Sequence, residues 1–132
     1  MTQHILFVDD EIPIRETLAL CFKMKGIAVT TAGTGREALR LCEGTCFNLV
    51  ILDVKLGEES GLELLEHFKR NNPKPPVIMF TSLGDDPALV KQALAKGANA
   101  YMSKSDSLDN LLREAEAAMQ SPDATVASGA TV

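Results

Sequence analysis

Short apolar runs alternate along this chain with segments of helical period, and that alternation restricts the fold more than any other feature. The runs are Ile5-Leu6-Phe7-Val8, residues 27–31, Leu49-Val50-Ile51-Leu52, Val77-Ile78-Met79-Phe80 and residues 98–102. The first, third and fourth are almost continuously apolar, as strands covered on both faces must be, so they are expected at the centre of a parallel sheet. The second carries Thr30 and Thr31 and suits an edge strand, one side of which meets water. The fifth run is expected at the other edge. Between the first two, Ile14, Leu18, Cys21 and Phe22 follow the spacing of one helix face, with Pro13 in the first turn and Gly26 placed to end the helix. Further helices are expected over 36–43, 62–71, 87–96 (with Asp85 or Asp86 as N-cap) and 108–119, each linking neighbouring strands. Right-handed crossovers then give a doubly wound α/β sheet whose working residues lie at the carboxyl ends of the strands.

A chain of 132 residues, 45% hydrophobic and 23% charged, suits one compact domain. That domain is expected over 1–120, with the small, polar residues 121–132 forming a disordered tail or linker stub. No apolar run approaches the roughly 20 residues that span a bilayer, and a cytoplasmic protein with no membrane partner is expected. The formal net charge of -5 argues against direct nucleic-acid binding, which needs a clustered positive surface. Cys21, Cys42 and Cys46 contain no CxxC pair and are odd in number, so reduced thiols are expected, with Cys42 and Cys46 sharing a helix face and buried.

The chemistry collects at strand ends. Asp9 and Asp10 follow the first strand and Asp53 the third, and in a parallel sheet those ends are neighbours. Three converging carboxylates repel one another unless a divalent cation neutralises them, and an all-oxygen donor set favours a hard ion such as Mg²⁺. Thr81 and Ser82 bring hydroxyls to the end of the fourth strand, and Lys104 brings an ammonium to the end of the fifth. Metal, carboxylate, hydroxyl and lysine together make a set suited to phosphoryl transfer.

In order along the chain, Val8-Asp9-Asp10-Glu11, Leu52-Asp53-Val54-Lys55-Leu56, Thr81-Ser82 and Lys104 resemble the motifs of the response-regulator receiver family, the two-component phosphorelay switches. The resemblance covers all but the tail. It implies a (βα)5 flavodoxin-like three-layer sandwich with a five-stranded parallel sheet of order 2-1-3-4-5. It further implies that Asp53 is the phosphoacceptor and that Asp10, Asp53 and the backbone carbonyl of Lys55 hold Mg²⁺, with Asp9 assisting through water. Thr81 would hydrogen-bond the phosphoryl group, Lys104 would neutralise it, and Tyr101 would be a switch aromatic turning inward as Thr81 moves. The implied donor is a phosphohistidine on a sensor histidine kinase or phosphotransfer protein. The signal would pass, through the face formed by the fourth helix, fifth strand and fifth helix, to a downstream target, a linked output domain or a second copy in a homodimer. Such a chain is a signalling switch that catalyses its own phosphorylation and dephosphorylation rather than an enzyme acting on a separate substrate.

Three positions depart from the family pattern. Ser105 stands where a proline preceded by a cis peptide is usual, so the Lys104–Ser105 bond is expected to be trans, or cis and strained. Leu56-Gly57 replaces the common Met-Pro, and Gly57 is expected to make its loop more mobile. Glu58-Glu59-Ser60-Gly61 replaces a usual x-x-Asp-Gly. Competing readings are weaker. Gly33-Thr34-Gly35-Arg36-Glu37-Ala38 fits a dinucleotide fingerprint but follows a polar, edge-like strand, and a dehalogenase-type phosphatase needs Asp-x-Asp where this chain has Asp9-Asp10-Glu11. The main rival is the same fold used only as a protein-interaction module.

Overall fold

The structure, a computed structural model, describes residues 3–71, 74–83, 86–120 and 126–127. The chain runs β1 (His4–Val8), α1 (Ile12–Met24), β2 (Ala28–Ala32), α2 (Gly35–Gly44), β3 (Leu49–Leu52), α3 (Gly61–Asn71), β4 (Val77–Thr81), α4 (Pro87–Ala95), β5 (Ala100–Ser103), α5 (Leu108–Gln120) and β6 (Val126–Ala127). A small antiparallel hairpin, Lys55–Leu56 against Glu59–Ser60, leads from β3 into α3. The main sheet is parallel throughout, in the order β2-β1-β3-β4-β5-β6. The five expected strands thus take their expected order. Two features differ from expectation: β5 is not outermost, because β6 pairs with Ala100 and Tyr101, and the hairpin was not foreseen. The rest of the expected tail, 121–125 and 128–132, lies outside the described residues, as does Asp85.

Strand alternation explains the three layers. Leu6, Val8, Val50, Leu52, Val77 and Met79 point to one face, where they meet Ala38 of α2, Leu64, Leu65 and Phe68 of α3, and Ala93 of α4. Ile5, Phe7, Leu49, Ile51, Ile78 and Phe80 point to the other, against Leu18 and Phe22 of α1 and Leu111, Leu112 and Ala115 of α5. Both faces are dry, which is why the central strands read as unbroken apolar runs. Each large side chain so buried, such as Phe22, stabilises the fold by about 1.5 to 3 kcal/mol.

Helix ends follow local chemistry. Thr34 caps α2 by accepting from the Glu37 amide, while Glu37 accepts in return from the Gly33 amide, close to a capping box. Asp86 caps α4 through the Ala88 amide, and α1 closes at Gly26, whose φ of 80° suits a residue without Cβ. Helix α2 ends at Gly44, so Cys46 lies beyond it and is exposed, contrary to the expected shared face with half-buried Cys42. All three cysteines are free. No described peptide bond is cis, so Lys104–Ser105 is trans.

Candidate functional site

Sheet register brings the strand ends to one level. Val8 pairs with Leu52, so Asp9 and Asp53 emerge side by side, and Thr81 pairs with Ser103, which puts Lys104 next to Thr81. The Lys104 amide continues the ladder by donating to the Thr81 carbonyl at 2.7 Å. Carboxylate oxygens of Asp9, Asp10, Glu11 and Asp53 lie within 4.8 Å of one another. Lys104 reaches across the sheet to three of them, its Nζ lying 2.6 Å from Asp9 Oδ2, 2.9 Å from Glu11 Oε1 and 2.9 Å from Asp53 Oδ2. The lysine side chain is only 7% exposed, and Asp9 is fully buried.

Burial alone would lower the Lys104 pKa, but its contacts with Asp9, Asp53 and Glu11 and the charge of Asp53 outweigh that and raise it well above the ordinary lysine value. The ammonium is therefore permanent at any physiological pH. Asp9 is shifted up, because burial outweighs the help of Lys104 and the Glu11 amide. Its buried Oδ2 has the lysine as its one described partner, in an ion pair at 2.6 Å. Local hydrogen bonds set the other groups. Asp9 Oδ1 accepts from the Glu11 amide at 2.8 Å, Asp53 Oδ1 accepts from the Lys55 amide at 3.3 Å, and the Asp9 carbonyl accepts from Arg15 at 3.0 Å. Glu11 is the N-cap residue of α1, but its side chain makes no capping bond and goes to Lys104 instead.

Among the expected residues, then, Asp9, Asp10, Asp53 and Lys104 converge. A cavity of about 370 Å³ opens beside them, lined by Asp10, Glu11, Asp53, Lys55, Ser82 and Leu83, among others. The Lys55 side chain is exposed at its rim. Thr81 is buried next to the site with its hydroxyl accepting from the Leu83 amide at 3.2 Å. Tyr101 stands apart: it pairs with Met79 across β4 and is fully buried in the α2–α3–α4 core, the inward position. The expected mobile loop is tied down. Leu56 is buried, Gly57 at φ 59° donates its amide to Asp10 Oδ2 at 3.0 Å, and Glu59 Oε1 accepts from the Gly35 amide at 3.1 Å. That last bond also occupies the first amide of the helix that opens at the Gly33-Thr34-Gly35 stretch.

Sequence reasoning missed Gly61. A Cβ there would lie 1.8 Å from the Asp53 carbonyl oxygen, so only glycine lets α3 begin against the backbone of Asp53. It also missed Glu11 as a partner of Lys104; the signal available was its place directly after Asp9-Asp10.

The response regulator receiver domain family model matches residues 5–116, and the chain belongs to that family, whose members act as phosphoacceptors in two-component signalling. Among curated proteins the chain is 36% identical over 117 residues to the uncharacterised transcriptional regulatory protein YkoG of Bacillus subtilis (strain 168). The alignment covers 89% of this chain and 51% of YkoG, so the chain spans about half the length of that relative. Among solved structures it is similar to the CheY-like receiver domain protein of Methanospirillum hungatei JF-1, with a TM-score of 0.86, 30% identity, and 91% and 95% of the two chains covered. It is also similar to a response regulator of Burkholderia pseudomallei solved with a phosphorylated aspartic acid, a calcium ion and citrate. There the TM-score is 0.79 at 28% identity, over 91% of this chain and 75% of that one. No helix among the described residues is long and apolar enough to cross a membrane.

Proposed function

We propose that Asp53 is the phosphoacceptor of this receiver domain. The observation that carries the reading is Asp53 itself: a nearly buried carboxylate at the floor of an open cavity, 2.9 Å from a permanently charged lysine. A divalent cation suits the place, since every donor is a hard oxygen and four carboxylates crowd within 4.8 Å around a single ammonium. Asp10, Asp53 and the Lys55 carbonyl would hold Mg²⁺, with Asp9 assisting through water. When bound, Mg²⁺ neutralises the carboxylates and the oxygens of an entering phosphoryl group.

An Asp53 carboxylate oxygen attacks the phosphorus of a phosphohistidine, the P–N bond breaks, and its electron pair leaves with the imidazole, so that an acyl phosphate forms. Lys104 exchanges its contact with the Asp53 carboxylate for one with the phosphoryl oxygens. The Thr81 hydroxyl turns from the Leu83 amide to donate to the same group, while Tyr101, the switch aromatic, is already buried before that movement. Hydrolysis by water reverses the modification, so the domain catalyses both its own phosphorylation and its dephosphorylation. The Burkholderia relative, with its phosphorylated aspartic acid and calcium ion, supports this chemistry. The donor is a sensor histidine kinase or phosphotransfer protein. The signal leaves through α4, β5 and α5 toward a linked output domain, a separate target or a second copy of the chain. The beryllofluoride-activated NtrC4 receiver domain dimer offers a precedent for the last.

Intact-mass spectrometry after incubation with acetyl phosphate and Mg²⁺ tests the reading. One phosphoryl-sized gain is expected in the wild type and none in Asp53→Asn or with a chelator. A folded wild type that gains nothing and binds no Mg²⁺ would favour the interaction-module alternative.

A further inference from the structure

The hairpin that follows Asp53 is held at two points by contacts to other parts of the molecule. Gly57, at its tip, donates to Asp10 Oδ2, and Glu59, on its returning strand, accepts from the first amide of α2. Between them the pairs Lys55–Ser60 and Leu56–Glu59 make it one short rigid piece, and Leu56 fixes it to the core. The Glu59 seat is specific. Gly35 is buried, and a Cβ added to it would lie 2.9 Å from Glu59 Oε2, so the carboxylate rests where a side chain would otherwise be. The amide it binds is one that no intrahelical carbonyl can satisfy, and the partial positive charge of a helix start favours an anion there.

We propose that Glu59 is a positioning residue for the metal-binding loop, setting the Lys55 carbonyl through the Leu56–Glu59 pairing and the Asp10 carboxylate through Gly57. The inference rests on the reading that Asp10, Asp53 and the Lys55 carbonyl hold Mg²⁺. Asp10 is exposed, and Gly57 N–H is its sole described hydrogen-bond partner, so without an anchored hairpin its carboxylate is free to rotate away. Anchoring at α2 keeps two of the three cation ligands in place before the ion arrives, and preorganisation of that kind is recovered as affinity. The same linkage works in the other direction: movement of the hairpin on cation entry is transmitted to the Gly35 amide at the start of α2.

The test is a Mg²⁺ titration of the full chain. It is followed by amide NMR at Gly57 and Gly35, and by the Mg²⁺ dependence of acetyl-phosphate labelling read by intact mass. In the wild type both amides move with one midpoint. Glu59→Ala raises the midpoint about fivefold, the worth of one ordinary hydrogen bond, and leaves the labelling rate at saturating Mg²⁺ unchanged. Glu59→Gln keeps an acceptor oxygen for Gly35 and stays within about twofold of wild type, since only a screened surface charge is lost. Equal midpoints for wild type and Glu59→Ala overturn the proposal, as do equal shifts for Gln and Ala, which would make charge rather than the bond responsible. Mg²⁺ binding with a motionless Gly35 amide sinks the positioning role alone, whereas a wild type that binds no Mg²⁺ removes the reading beneath it as well.

Discussion

Lys104 and Lys69 stand at opposite ends of the same sheet, and both are withdrawn from water. Lys104, at the carboxyl ends, faces three carboxylates, and its ammonium is stabilised far beyond the ordinary value. Lys69, on α3 near the amino ends, donates to Asn99 Oδ1 at 3.0 Å and to the Pro75 carbonyl at 3.4 Å; no carboxylate is among its described partners, and burial lowers its pKa. Asn99 Oδ1 also accepts from the Val77 amide, so this end is a neutral network that joins α3 to the starts of β4 and β5. One end holds a surplus of acid around a single cation, and the other pairs its cation with neutral oxygens. Charge surplus marks the end that does chemistry, while neutral pairing marks the end that only holds the sheet together.

Each end has a glycine beside its lysine network, and substitutions there give the sharpest tests. Gly61→Ala should be worst, because its Cβ would meet only backbone, at 1.8 to 2.9 Å. A loss of about 4 kcal/mol in urea unfolding, with labelling of Asp53 lost, is expected. Lys104→Met should cost about 3 kcal/mol without Mg²⁺, since it leaves buried carboxylates facing each other, and added Mg²⁺ should restore most of that. No loss in the metal-free protein would show that the carboxylates do not depend on the lysine. Gly97→Ala, at φ 108° against the flexible stem of Lys69, should cost about 1 to 2 kcal/mol and leave labelling intact.

Lys69→Met should be the mildest, within about 1 kcal/mol, because the apolar stem is kept and no paired charge is orphaned. Its signature is in the pH profile. Burial holds the folded-state pKa of Lys69 below 10.5, so the unfolded chain binds that proton more tightly. Stability of the wild type therefore carries a component that rises as pH climbs through the folded-state value toward 10.5, and Lys69→Met should lack it. Thermal melts of the two proteins between neutral pH and 10.5 measure the difference.

The sequence was most readable where one short segment determines its own state. Ile5 to Val8, Leu49 to Leu52 and Val77 to Phe80 are apolar at every position because both sheet faces are covered, and nothing but a central strand accounts for that. Asp9, Asp53 and Lys104 could be placed together because parallel register fixes which residues emerge side by side. Contacts between distant segments were not readable. Glu59 meets Gly35 across 24 positions and Lys69 meets Asn99 across 30, and no local period encodes either. The hairpin has two residues per strand, too few for alternation to show. Glu11 read as one more acid near a helix start, although its side chain leaves the helix for Lys104, 93 positions away.

The four carboxylates around one ammonium also govern encounter kinetics. Without a metal ion, Asp9, Asp10, Glu11 and Asp53 against Lys104 leave a formal excess of three negative charges in and behind the cavity, before Lys55 at the rim is counted. Before Mg²⁺ binds, a free anion is repelled as it diffuses in, whereas a divalent cation is drawn in, and its association should slow as ionic strength rises. A protein donor that carries cationic side chains around its phosphohistidine would be drawn in by the same field. The local potential thus favours the cation's arrival first and an anionic phosphoryl group only after it.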